Sequence, residues 1–181
     1  WAQVPQSPRL RVLGVRDGLP ASMVNAIERD RAGYIWVATS DGLARYDGNQ
    51  FRVWRQVPND PRALPGNMIQ AVHVDAQDRV WVASEFGGIS MLDGARDGFL
   101  HWNRKSRPVL GSDDIFSFAS RDDLLWFGTG DAGLYRMRTG GAPAQWMPEA
   151  VPGLPSPTVL ALAFDRAGTL WVGTMQGLAR W

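Results

Sequence analysis

Imidazole, thiol and clustered carboxylates are where an activity in this 181-residue chain would have to reside, and the chain offers little of them. Only two histidines occur, His73 and His101, and there is no cysteine. Neither histidine has an acidic partner or a second ligand at metal spacing beside it, so each reads as a packed or surface residue rather than a base or ligand. No Gly-x-Ser-x-Gly elbow is present. Asp30-Arg31-Ala32-Gly33 lacks the alternating oxygen ligands of a calcium loop. Gly128-Thr129-Gly130 follows an apolar run but opens no helical pattern, so it is no phosphate cradle. The residues therefore imply no catalytic group, no metal and no cofactor.

The side chains better suited to holding a ligand are Asn67, Glu85, Phe86, Asp131 and Gln176. A carboxylate beside an exposed ring, as in Glu85-Phe86, suits a sugar or a peptide, and Asn67, Asp131 and Gln176 can add hydrogen bonds. These positions vary within a frame that otherwise repeats, and loops accept change readily, so variation there fits either function or tolerance.

The frame is set by Trp36, Trp81, Trp126 and Trp171, each 45 residues after the last. Around them run Asp30-Arg31-Ala32-Gly33-Tyr34-Ile35-Trp36-Val37-Ala38-Thr39, then Asp75 to Ser84, Asp122 to Thr129 and Asp165 to Thr174. Each is followed by Gly-Leu or Gly-Ile, at Gly42, Gly88, Gly133 and Gly177. The second and third copies carry one extra residue between the tryptophan and that glycine, and the third is one residue shorter between Leu110 and Trp126. A fixed period of this length means one supersecondary unit repeated.

Each unit reads as four short strands. Met68–Val74 is a first strand, with Met68, Gln70, Val72 and Val74 expected on one face. Ile35–Thr39 is a continuous apolar run, as in a strand covered on both sides. Gly42 opens a third strand, and Phe51–Trp54 and Phe99–Trp102 are fourth strands. Four strands per repeat of about 40–50 residues is the arithmetic of a β-propeller blade. The fold class is all-β, a propeller of four-stranded antiparallel blades, with repeats at about 18–62, 63–108, 109–152 and 153–181. The four repeating tryptophans are expected in the core between blades, where each buries about 150–250 Å², worth about 4–6 kcal/mol gross.

Composition narrows the partners. Net charge is +1, with 19 basic and 18 acidic residues interspersed, so no basic stripe exists for a nucleic acid. The longest apolar run, Val159 to Phe164, is far too short to span a membrane, so no membrane contact is expected of this segment. The chain opens at Trp1 rather than Met, so a leader or anchor would lie outside it.

With Gly18-Leu19-Pro20, Asp30 to Thr39 and Gly42-Leu43-Ala44-Arg45-Tyr46 in one copy, and near-matches in three others, the chain resembles the two-component regulator propeller repeat. The resemblance implies a periplasmic sensor region of a bacterial hybrid histidine kinase or diguanylate cyclase receptor, of which this chain is a fragment. It implies signal input rather than catalysis, and a small-molecule ligand, in some members a carbohydrate, or a periplasmic protein partner. Two other readings stand beside it: a propeller lyase or hydrolase with a central metal, and a structural dimerisation module.

The fourth repeat stops at Trp181, short of its last strand, and residues 10–16 sit where a last strand of a preceding blade belongs. Either that segment completes the fourth blade and closes a four-bladed ring, or the blade edges stay open. An open edge invites another chain, and two copies joined there would make one eight-bladed ring.

Overall fold

The computed structural model describes residues 10–181. Fifteen strands form four separate antiparallel sheets in chain order. The first blade is β1 (Val24–Arg29), β2 (Ile35–Thr39), β3 (Gly42–Tyr46) and β4 (Phe51–Trp54). The second is β5 (Ile69–Val74), β6 (Val80–Ser84), β7 (Gly88–Leu92) and β8 (Phe99–Trp102). The third is β9 (Ile115–Arg121), β10 (Leu124–Thr129), β11 (Leu134–Arg138) and β12 (Pro148–Val151). The fourth has three strands, β13 (Val159–Phe164), β14 (Leu170–Thr174) and β15 (Gly177–Arg180). Among the described residues helix is confined to two single 3₁₀ turns, Val15–Asp17 and Pro143–Gln145.

Every sheet is a meander, because connections of two to nine residues are too short for a parallel crossover and join antiparallel neighbours. The first strand of each blade packs on the first strand of the next, β1 on β5, β5 on β9 and β9 on β13. Among the described residues β1 and β13 do not pack on each other in that way, so the four blades form an open arc.

The cores lie between blades. Trp36, Leu43, Leu64, Ile69, Val72 and Val82 form the first junction. Trp81, Ile89, Leu110, Ile115, Phe118 and Phe127 form the second, and Trp126, Leu134, Val159, Leu170 and Val172 the third. Trp36, Trp81 and Trp126 are buried, whereas Trp171, whose blade has no successor here, is half-buried. Small residues after the tryptophan let the next blade close in. At Gly128 a Cβ would sit 2.4 Å from Val159 Cγ1 of the fourth blade.

The aspartate of the repeat has a clear physical task. Trp36 Nε1 donates to Asp30 Oδ2 at 3.0 Å, Trp81 Nε1 to Asp75 Oδ2 at 2.7 Å and Trp171 Nε1 to Asp165 Oδ2 at 2.9 Å. The other carboxylate oxygen accepts from the backbone N–H of Tyr34, Arg79 or Thr169, four residues on. One side chain thus closes the β-turn and satisfies the indole N–H, which at the buried Trp36 and Trp81 would otherwise cost free energy.

Two expectations are corrected. Residues 10–16 form no strand: 10–14 are irregular, Val15 to Asp17 is a 3₁₀ turn, and Leu10 and Val12 are exposed, so this segment does not close the ring. The face of the second blade's first strand also differs. The pairing of β5 with β6 shifts between Ile69 and Ala71, a bulge that resets the alternation. Ile69 and Val72 consequently share one junction core while Ala71 joins the other. Matching bulges occur in β1, β9 with β10, and β13.

Candidate functional site

The loops before each first strand and between each second and third strand gather on one side of the arc. In the first and fourth blades the second of these turns is short, Ser40-Asp41 and Met175-Gln176. In the second it is Glu85-Phe86-Gly87, and in the third Gly130 to Gly133. The longer turns push side chains outward. Phe86 adopts a left-handed backbone with φ of 52° and is 72% exposed. That places a large apolar ring in solvent at a position where strain has been accepted.

Between these two turns lies a cleft of about 310 Å³ lined by Phe86, Arg104, Ser112, Asp113, Asp114, Phe116, Gly130 and Asp131. Its floor is held by backbone bonds across the second junction and within the third blade. Gly88 N–H donates to the Asp113 carbonyl at 2.9 Å, and Gly130 N–H to the Asp114 carbonyl at 2.9 Å. Asp113 Oδ1 accepts from the Arg104 N–H at 2.6 Å, and Ser112 Oγ accepts from the Asp114 N–H at 3.0 Å. Asp114 Oδ1 is buried and has no hydrogen-bond partner among the described residues. A buried, unpartnered carboxylate oxygen costs about 1–3 kcal/mol, more when charged, which a donor arriving from a ligand would recover. Chemically the cleft offers two phenyl rings, three carboxylates and one guanidinium.

Of the five residues singled out in the sequence, Phe86 and Asp131 line this cleft. Glu85 is Phe86's neighbour and is exposed, its backbone N–H donating to the Met68 carbonyl at 2.8 Å. Asn67 lies elsewhere, its side-chain oxygen accepting from the Gln56 N–H at 2.8 Å, so it closes the preceding loop. Gln176 sits exposed in the fourth blade's turn, well apart in the arc. Sequence reasoning missed Arg104, Ser112 and Phe116. A signal was present, since the one-residue insertions fall in the two blades that flank the cleft.

A second cluster crosses the inner strands on the opposite side. His73 on β5 places Nδ1 3.5 Å from Glu28 Oε1 on β1, and its Nε2 2.8 Å from Ser120 Oγ on β9. The two strand neighbours lie 45 and 47 residues away along the chain, which is why no local pattern announced them. His101 packs differently: Nδ1 meets Ser90 Oγ at 2.9 Å, and burial depresses its pKa despite opposing hydrogen bonds to Pro61 and Ala63. Among the described residues no group of three or more His, Cys, Asp and Glu side chains is placed to hold a metal.

Comparison with known proteins sharpens the reading. Residues 18–41 and 153–176 match the sequence profile of the two component regulator propeller family. A segment of 48 residues is 44% identical to Histidine kinase P4 of Formosa agariphila, covering 26% of this chain and 4% of the kinase. Two solved structures with the same fold come from B. thetaiotaomicron. One is the extracellular domain of a protein described as hybrid two component system BT3049, with a TM-score of 0.62 and 23% identity over 94% of this chain and 30% of that one. The other, from BT4673, has a TM-score of 0.69 and 18% identity over 87% of this chain and 23% of that one. Virginiamycin B lyase of Staphylococcus aureus shares the fold at a TM-score of 0.62 and 17% identity, over 91% of this chain and 57% of the enzyme. The chain thus spans 30% and 23% of the two extracellular domains it resembles and 4% of the histidine kinase.

Proposed function

We propose, for a chain that carries two component regulator propeller repeats, that it is the ligand-sensing, extracytoplasmic part of a bacterial signal-transduction receptor, periplasmic in location. The observation that carries this is the pair of repeat matches at residues 18–41 and 153–176, joined by the 44% identity to a histidine kinase. The cleft between the second and third blades supplies a place for the ligand. Its phenyl rings suit the flat apolar face of a sugar, and its carboxylates suit hydroxyl or amino donors on the edge. In this reading the segment itself catalyses nothing, and any kinase or cyclase output belongs to the rest of the receptor.

The test is a thermal-shift series on the purified chain and on the intact receptor, using neutral monosaccharides, amino sugars and short oligosaccharides as probes. Saturating ligand at about 100 times Kd stabilises by about 2.7 kcal/mol, which for a chain of this size raises Tm by about 2–4 °C per kcal/mol. The shift should vanish in Phe86→Ala and persist in a substitution at Gln176. No shift from any probe in the intact receptor would leave the sensing role without a small-molecule ligand.

A further inference from the structure

We infer, on the sensing role proposed above, that the cleft between the second and third blades selects a small ligand bearing an ammonium group over its neutral counterpart, and that Asp114 and Asp131 carry the selectivity. Both blades that form the cleft pack against a blade on either side, so its walls lie away from the two ends of the arc.

Equivalent positions in the four blades separate what the fold needs from what this cleft adds. The two residues preceding Val24, Ile69, Ile115 and Val159 are Ser22-Met23, Asn67-Met68, Asp113-Asp114 and Pro157-Thr158. Three blades build this turn without charge, and the third blade places two adjacent carboxylates there. Thr158 shows a solution internal to the fold, since its hydroxyl donates to the Gly130 carbonyl at 2.7 Å. An ionised Asp114 has no proton to give in that way, and its buried Oδ1 has no partner among the described residues. Asp131 adds a third carboxylate from the lengthened turn and is exposed. Phe116 likewise stands where the other blades have Asn25, Gln70 and Leu160.

The charge is left uncompensated. Arg104 is the one cation on the cleft wall, against three carboxylates. Among the described residues none of Asp113, Asp114 and Asp131 is in an ion pair, and Arg104 meets Asp113 through its backbone N–H. The rings are free as well. Arginines lie over Tyr34, Trp54 and Trp146, but among the described residues none lies over Phe86 or Phe116. The carboxylates are not grouped as the ligands of a metal ion. Oxygens spread around two open phenyl faces fit an organic cation, whose ammonium meets a carboxylate or a ring and whose carbon frame covers the other ring. Amino sugars and aliphatic amines share this chemistry.

The experiment is calorimetric titration of the purified chain and of the intact receptor with matched pairs, glucosamine against glucose and galactosamine against galactose. N-acetylglucosamine serves as the acylated control and putrescine as the amine without a sugar. An amino sugar should bind about tenfold tighter than its neutral parent, the worth of one cation–π contact with one exposed charge pair. The advantage should shrink as ionic strength rises from about 0.01 M to about 0.15 M. Asp114→Asn and Asp131→Asn should each bring the amino sugar to the affinity of the parent sugar and leave the parent's binding in place, because the amide removes the charge and keeps an acceptor. Asp131 is exposed in a turn, so its variant keeps the blade intact even where Asp114→Asn does not. Equal affinity within both pairs, or preference for the neutral or acylated sugar, overturns the inference and leaves the sensing role standing. Failure of all these probes while a short oligosaccharide still raises Tm does the same, and silence of every probe removes both. Putrescine binding as tightly as the amino sugars supports the ammonium site and assigns it to a free amine.

Discussion

His73 Nε2 lies 2.8 Å from the Ser120 hydroxyl, across the junction between the second and third blades. With Glu28 at 3.5 Å on the other side, the imidazole ties together the innermost strands of three consecutive blades. The order carboxylate, imidazole, hydroxyl is also that of an activated serine. The Glu28 contact is longer than the roughly 2.6–3.2 Å that such an orienting bond takes, and none of these three side chains lines the cleft.

The relay is accordingly expected to hold blades together. Ser120→Ala should destabilise by about 0.5–1.5 kcal/mol, the worth of one net hydrogen bond, read from urea unfolding. A fluorophosphonate probe should leave Ser120 unmodified. Labelling at Ser120 that disappears in His73→Gln would make the cluster a nucleophilic site instead.

The repeating tryptophans should not be equivalent. Trp81 is fully buried and packs on Trp102 and Trp146 with ring centroids 5.7 and 5.8 Å away, so Trp81→Ala should cost about 3–5 kcal/mol. Trp171 is half-buried and its substitution should cost distinctly less in the monomer. Equal losses in urea unfolding under conditions that keep the chain monomeric would contradict the open-arc account.

Two groups give stability opposite chemical origins but the same pH sign. Burial works against ionising Asp30, but the Arg96 guanidinium, the Trp36 indole and the Tyr34 N–H outweigh it and hold the carboxyl below its ordinary 3.8. A depressed carboxyl contributes stability that is present above pH 3.8 and is lost as pH falls through the folded value. His101 is depressed below 6.5 by burial, so its folded state binds fewer protons and stability declines as pH drops below 6.5. His101→Gln should flatten the upper decline and Asp30→Asn the lower one, each seen in unfolding midpoints across pH.

Asp114 should trade stability for binding. Removing its unpartnered carboxylate in Asp114→Ala relieves a buried unsatisfied oxygen and is expected to stabilise the unliganded chain by about 1 kcal/mol. The same variant should lose the ligand-induced thermal shift. Destabilisation would mean that Asp114 serves the fold through contacts other than its side-chain oxygens.

The stride of the tryptophans, the Asp and Gly of each turn and the short apolar runs were enough to determine blades, because turn chemistry and strand periodicity act over a few neighbouring residues. The same local rules marked Phe86 and Asp131 as outward-facing turn residues. They were silent on which turns face each other. Asp114 and Phe116 share a cleft with Phe86 only because the third blade's first strand packs beside the second blade, and Asn67 leaves the set because its side chain caps a loop. His73 finds Glu28 and Ser120 by the same stacking. The first segment's failure to become a strand, and the exposure of Val24 against buried Ile69, depend on whether a neighbouring blade is there to cover them. Burial between blades is a property of pairs of repeats, and a single repeat's sequence holds only half of each pair.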